Sequence, residues 1–193
     1  MKKSGEVREK IIETTISLIT ESEGDVASIN TRSIAEKSHV GIGLINYHFQ
    51  TKENLIEMCI ERMIANVIVA FAPSIPKQNP AERLKFTAKL VADFLVDNPA
   101  VSRISILHDY KNPKKDDNTI KSAVGFNRTL GNIGISEKEQ FILAFAFTSI
   151  LQTLFLRKEQ SCELFGYDFS IKEQRDKVLD LLIDNIFGGF ENE

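Results

Sequence analysis

TRSIAEKSHVGIGLINYHFQTKENL, residues 31–55, packs two short helical patterns and the start of a third into one continuous run. The first begins at Thr31, whose hydroxyl can cap it, buries Ile34 and Ala35, and stops near Ser38 and His39. The second covers residues 41–49. Thr51 then caps a long helix through Leu55, Ile56, Cys59, Ile60, Met63, Ile64 and Val67 to about Phe71. Upstream, Val7, Ile11, Ile12, Thr15, Leu18 and Ile19 recur at three- and four-residue spacing, which predicts a helix with one buried stripe, ended by Glu23-Gly24-Asp25. Two short helices joined by a tight turn and packed on a longer one form a helix-turn-helix, whose second helix enters the DNA major groove.

Helical spacing of about 100° per residue divides residues 41–49 into two faces. Ile45 and Phe49 share the inner one, with Val40 and Ile42 nearby, while Gly43, Leu44, Asn46 and Tyr47 point outward. Leucine and tyrosine gain little from water, and glycine weakens a short helix, so this is a poor solvated surface. Against a duplex each has a use: Asn46 on base edges, Leu44 on a thymine methyl, Tyr47 on a phosphate, Gly43 for close backbone approach. Lys52 sits in the first turn of a helix, where the dipole disfavours a cation unless an anion is bound there. Thr51 with Lys52, and Thr31 with Arg32, therefore read as two phosphate sites, with His48 on the flank between them. Taken singly, Lys52 is a surface charge, His48 a helix-end side chain packed on Phe49, and the threonines plain caps. Their joint placement favours DNA.

The same run resembles the DNA-binding signature of the tetracycline-repressor (TetR) family, with Ile34-Ala35, Val40, Gly43, Tyr47-His48-Phe49 and Lys52-Glu53 on its usual pattern. The likeness covers roughly the first 65 residues; beyond them only length and helix order resemble the family. It implies DNA contacts from Thr31, Arg32, Ser33, Gly43, Leu44, Tyr47, His48 and Lys52. Two positions depart from the pattern. His39 stands where the family's turn usually has glycine, so it must take a strained turn conformation or reshape the turn. Gly41 replaces a serine-like cap, which predicts a recognition helix that frays until DNA orders it.

Past Pro73, Pro76 and Pro80 the chain stays helical. Helices are expected over 81–96, 99–108, 118–130, 136–159 and 171–187, with a polar turn at 112–118, Ser136 as a cap and Gly188-Gly189 as the final stop. The fold class is therefore all-α, with about nine helices: a three-helix reading head at 1–55, a connecting helix at 52–71, and a larger ligand-binding and dimerisation domain at 72–193. Residues 136–159 are apolar nearly all round, from Phe141, Ile142 and Leu143 to Leu154, Phe155 and Leu156, so one neighbouring helix cannot cover them. With Val178, Leu181, Leu182, Ile183, Ile186 and Phe187 of 171–187 they could form half of a four-helix bundle with a second copy, as the family does, or simply the centre of one core. An effector pocket would be lined by Phe86, Phe94, Ile104, Leu107, His108, Tyr110, Phe126 and Phe147, which suit a largely hydrophobic ligand.

Charge argues neither way. The formal net charge is -3, and residues 1–55 hold seven basic against eight acidic side chains, so charge placement and not charge total must serve any DNA contact. Three histidines, no phosphate-binding glycine loop and no nucleophile or metal spacing speak against an enzyme, a metal or a cofactor. Cys59 and Cys162 read as ordinary reduced thiols. The charged opening segment does not read as a signal peptide, and residues 143–156 are interrupted by polar groups and short of a membrane span, so a soluble cytoplasmic protein is expected. The expected function is a homodimeric repressor that binds double-stranded operator DNA and is released by a small effector. The alternative is a helical adaptor that binds a protein through Leu44 and Tyr47.

Overall fold

Ten α-helices and no strand are formed by the described residues, in the order α1 (Lys2–Glu21), α2 (Thr31–Ser38), α3 (Ile42–Phe49), α4 (Lys52–Phe71), α5 (Pro80–Asp97), α6 (Pro99–Lys111), α7 (Asn118–Leu130), α8 (Glu137–Leu156), α9 (Lys158–Phe165) and α10 (Lys172–Phe187). The computed structural model describes residues 2–22, 25, 28–71 and 79–188, with side chains for 5–22, 25, 28–64 and 79–188. Glu23, Gly24, Pro73, Pro76 and Gly189, on which some expected breaks fall, lie outside the described residues, as does the side chain of Val67. The described residues thus hold one helix beyond the roughly nine expected, because one expected helix is divided in two. The predicted helix 136–159 ends at Leu156, Arg157 leaves helical geometry (φ -110°, ψ 20°), and α9 begins afresh. Behind this break, Ser161 is buried and its hydroxyl accepts the Phe169 N–H at 3.1 Å, so α9 is fastened to the turn that follows it.

The chain forms two compact units, the first within residues 1–70 and 98–107, the second within 71–97 and 108–193. The first unit thus includes most of α6, as far as Leu107, whereas the sequence reading places α6 in the segment 72–193. Its core gathers Ile11, Ile12 and Ile19 of α1, Ile34 and Ala35 of α2, Ile45 and Phe49 of α3, Leu55, Ile56, Cys59 and Ile60 of α4, and Val101 and Ile104 of α6. Each fully buried aliphatic side chain contributes roughly 1.5–3 kcal/mol, ample to fix helices too short to stand alone. Burial pushes the Cys59 thiol up to about 12, so it stays protonated and serves as a small apolar core group. Arg8 covers the Phe49 ring at 5.4 Å and donates to the Met58 sulfur at 2.8 Å, closing the core beneath α3.

In the second unit α7 packs on α8 and α5 on α10. The α5–α10 seam is ionic along its edge: Lys85 pairs with Asp184 at 2.7 Å, Lys89 with Asp180 at 2.7 Å, and Asp93 with Arg175 at 2.5 Å. The spacing of these residues places them on one face of each of two antiparallel helices. Arg175 is buried, and besides Asp93 it donates to the carbonyls of Phe169 and Ser170. α8 is 20 residues long, and among the described residues it is the one helix long and apolar enough to cross a membrane. Its buried Gln140 donates to Asn127 of α7 and its buried Gln152 to Thr119 at 3.0 Å, the chemistry of a core helix packed on protein.

Candidate nucleic-acid interface

The start of α2 is set by Asn30, which corrects the expected Thr31 cap. The Asn30 side chain accepts the Ser33 N–H at 2.9 Å, and the Ser33 hydroxyl lies 3.3 Å from the Asn30 N–H, completing a capping box. Thr31 is instead the first helical residue, and Ser33 is committed to this cap. At the other end His39 takes the left-handed conformation (φ 53°, ψ 42°), and the N–H groups of His39 and Val40 close onto Glu36 and Ala35. This is a Schellman stop, normally made with glycine. Of the two outcomes open to His39, the strained turn is the one found.

α3 forms from Ile42 to Phe49 although Gly41 supplies no side-chain cap. Ile45 and Phe49 are buried as expected, and Val40 is half-buried. Ile42 is not with them. It is 45% exposed and joins Leu44 (44%) and Tyr47 (77%) on the outer surface beside exposed Gly43 and Asn46. The position begins the helix, so no preceding turn exists for it to pack against. A Cβ at Gly43 would meet nothing within 4 Å, so no packing requirement places glycine there. His48 is half-buried between the rings of Tyr47 and Phe49, at 5.1 and 6.0 Å.

Gln50 connects α3 to α4 with φ 65° and ψ -54°, and the Thr51 N–H reaches the Phe49 carbonyl at 2.8 Å. That is a γ-turn of the strained kind, and it makes the junction as short as a chain allows. Thr51 caps α4 as expected, accepting the Asn54 N–H at 3.1 Å. Lys52 is half-buried and donates to the Ile29 carbonyl at 3.0 Å. This bond draws the start of α4 to the chain just before α2, so the pairs Thr31–Arg32 and Thr51–Lys52 converge at two neighbouring helix N-termini. Arg32 lies in an exposed pair with Glu36 at 3.1 Å, an interaction weak enough to be exchanged.

The geometry places an exposed, largely apolar helix face beside two convergent helix starts, and solved structures share the frame that carries it. A crystal structure of a TetR transcriptional regulator from Rhodococcus sp. RHA1 superposes with a TM-score of 0.65 over 94% of this chain and 96% of that one, at 16% identity. This chain has the TetR regulator fold. Another transcriptional regulator from Rhodococcus sp. Rha1 matches at TM-score 0.59 and 17% identity, over 94% of this chain and 96% of that one. A TetR-like transcriptional regulator from the same source, Rhodococcus sp. RHA1, matches at 0.55 and 13%, over 95% and 96%. No family model matches the sequence, and no curated protein does. Within this fold, α2 and α3 form the helix-turn-helix, with α3 its second helix.

The expected effector-lining residues are scattered. Phe126 and Phe147 are buried edge to face at 5.1 Å, and Phe147 also meets Phe187 at 6.2 Å. Phe86, Phe94 and His108 are half-buried, while Leu107 and Tyr110 are exposed. Ile104 packs in the core of the first unit. Sequence reasoning missed the polar chain beside them, in which Gln152 donates to the Thr119 hydroxyl, and that hydroxyl and the Thr119 N–H both donate to buried Asp109, at 3.0 and 2.8 Å. Burial pushes the Asp109 carboxyl up from its usual range, against the lowering effect of these bonds.

Proposed function

We propose that the protein is a homodimeric DNA-binding transcription regulator, a repressor that inserts α3 into the major groove and leaves its operator when a small, largely hydrophobic effector binds the second unit. The observation that carries this is the outer face of α3, where Ile42, Leu44 and Tyr47 are exposed around a glycine that no packing requires. Such a face suits the edges of base pairs. Thr31, Arg32, Thr51 and Lys52 would hold the flanking phosphates, since helix N-termini present free N–H groups and favour anions. Of the three Lys52 ammonium donors, Ile29 takes one and leaves two for phosphate. Gly43, Asn46 and Tyr47 would meet the groove, with Ser33 and His48 at its edge. The solved structures of this fold are described as transcriptional regulators, which favours the same reading.

A second copy would join through α8 and α10, where Ile142, Phe145 and Leu181 are exposed, giving two reading heads for half-sites about 34 Å apart. An effector can shift such a dimer only by binding one geometry better than another. The interior around Phe86, Phe94, Phe126, Phe147 and His108 is the region offered for it.

The test is binding of the full chain to a pool of random duplexes across a salt series. Affinity should fall steeply with salt, and Tyr47→Ala should abolish sequence-specific retention without changing the melting temperature. Salt-independent binding to protein partners, with no duplex retained, would favour an adaptor instead.

A further inference from the structure

The outward side chains of α3 include no arginine, lysine or carboxylate: they are Ile42, Leu44, Asn46 and Tyr47, about Gly43. Guanine is read in the major groove mainly by bidentate donation from arginine or lysine to O6 and N7, and cytosine by a carboxylate accepting from N4. α3 can do neither. The cations around it stand on other helices and hold other partners, Arg8 with the Phe49 ring and the Met58 sulfur on the inner side of α3, Arg32 with Glu36, Lys37 with Glu21, and Lys52 with the Ile29 carbonyl.

What α3 does present is two aliphatic side chains, 45% and 44% exposed, either side of a glycine with open space above it, and one carboxamide. Ile42 is the informative member, because nothing in the core of the first unit uses it. Among the features a base pair shows in the major groove, the thymine 5-methyl is the apolar one, and asparagine pairs bidentately with adenine N6 and N7. Thymine and adenine are the two halves of one base pair, so both kinds of side chain ask for the same step in the duplex. Gly43 lets the two aliphatic groups come down to the bases without a side chain between them.

Resting on the DNA-binding reading above, we infer that the base pairs beneath α3 are A·T pairs, recognised through thymine methyls by Ile42 and Leu44 and through adenine by Asn46. The class of operator is then one with an A·T core in each half-site, and any guanine contact is made from outside α3.

Deoxyuridine in place of thymine keeps the pairing and removes only the methyl, which makes the inference testable on a selected duplex. The full chain is used to enrich duplexes from a random pool at low salt, and the winner is resynthesised with one thymine at a time replaced by deoxyuridine. We expect A·T pairs at the centre of each half-site and a loss of about fourfold for each contacted methyl removed. Ile42→Ala should bind more weakly and become indifferent to deoxyuridine at one thymine per half-site, while Leu44→Ala becomes indifferent at another. Both residues are exposed, so both variants should melt as the wild type does. A G·C core, or deoxyuridine duplexes bound as tightly as thymine ones throughout, overturns the inference and leaves DNA binding standing. Failure to retain any duplex at low salt overturns the DNA-binding reading itself, and this inference with it.

Discussion

The Lys52 ammonium donates to the Ile29 carbonyl oxygen at 3.0 Å, tying the first turn of α4 to the residue before the α2 cap. A cation at that end of a helix opposes the dipole, yet here it satisfies a carbonyl that precedes another helix. Lys52 thus has a structural partner as well as a proposed phosphate. Lys52→Ala should lower stability by about 1 kcal/mol and weaken binding to all duplexes alike, reducing the salt dependence by about one charge per half-site. Urea denaturation and a salt series check the two effects separately. Weakened binding to one sequence alone would contradict the phosphate role.

In both units the fold was legible where its signals are local. Ile45 and Phe49 sit on the inner face of α3 as helical spacing predicts, and Asn118–Leu130 is the helix expected, capped by Asp117. The misreadings share a cause. Asn30 and Thr31 are both good caps, and the choice between them depends on Ser33 completing the box. Ile42 fits an inner face on a helical wheel, but a wheel assumes a turn before it. The end of α8 has no glycine or proline to announce it; Ser161 binding Phe169 is a contact made only in the folded chain. The ionic seam of Lys85, Lys89 and Asp93 with Asp184, Asp180 and Arg175 likewise depends on the register of two helices far apart in sequence.

Gly43 separates folding from function. Alanine there meets no neighbour within 4 Å and suits a helix better, so Gly43→Ala should raise stability by roughly 0.5 kcal/mol. The same methyl would stand between the backbone and the bases, and duplex affinity should fall at least about tenfold, or 1.4 kcal/mol. Opposite signs in the two measurements are the expected result. A gain in both would place Gly43 outside the groove.

The exposed aliphatic and aromatic groups on α8 and α10 predict the assembly. Phe145 and Leu181 are 41% and 60% exposed on helices that touch each other through Phe147 and Phe187. Phe145→Glu or Leu181→Glu places a charge on that surface without disturbing a packed core, and each should convert a dimer to a monomer in light scattering. Operator affinity should fall with it, because one half-site is lost. A dimer mass for both variants would move the interface elsewhere, with Leu164, Phe165 and Tyr167 the next exposed apolar group.

Two carboxylates of the second unit, buried Asp109 and half-buried Asp93, should give stability a pH dependence of opposite sign. An unfolded aspartate titrates near 3.9. Burial holds Asp109 above that, so its folded form takes up a proton first, and stability should rise as pH falls from neutral through its folded value. Burial also pushes Asp93 up, but hydrogen bonds and charge from Lys172 and Arg175 outweigh it and hold Asp93 below the usual range. Its contribution is complete above about pH 3.9 and is lost as pH falls through the lower folded value. Asp109→Asn keeps an oxygen for both Thr119 bonds and removes the buried charge, so it should hold or raise stability at pH 7 and flatten the rise toward pH 4. Asp93→Asn leaves buried Arg175 without its counter-charge and should cost about 3 kcal/mol at pH 7, a deficit that shrinks in acid. Urea midpoints from pH 7 to pH 3 for the wild type and both variants decide it: a wild-type curve that only falls, with Asp109→Asn parallel to it, would mean that Asp109 is not held up by burial.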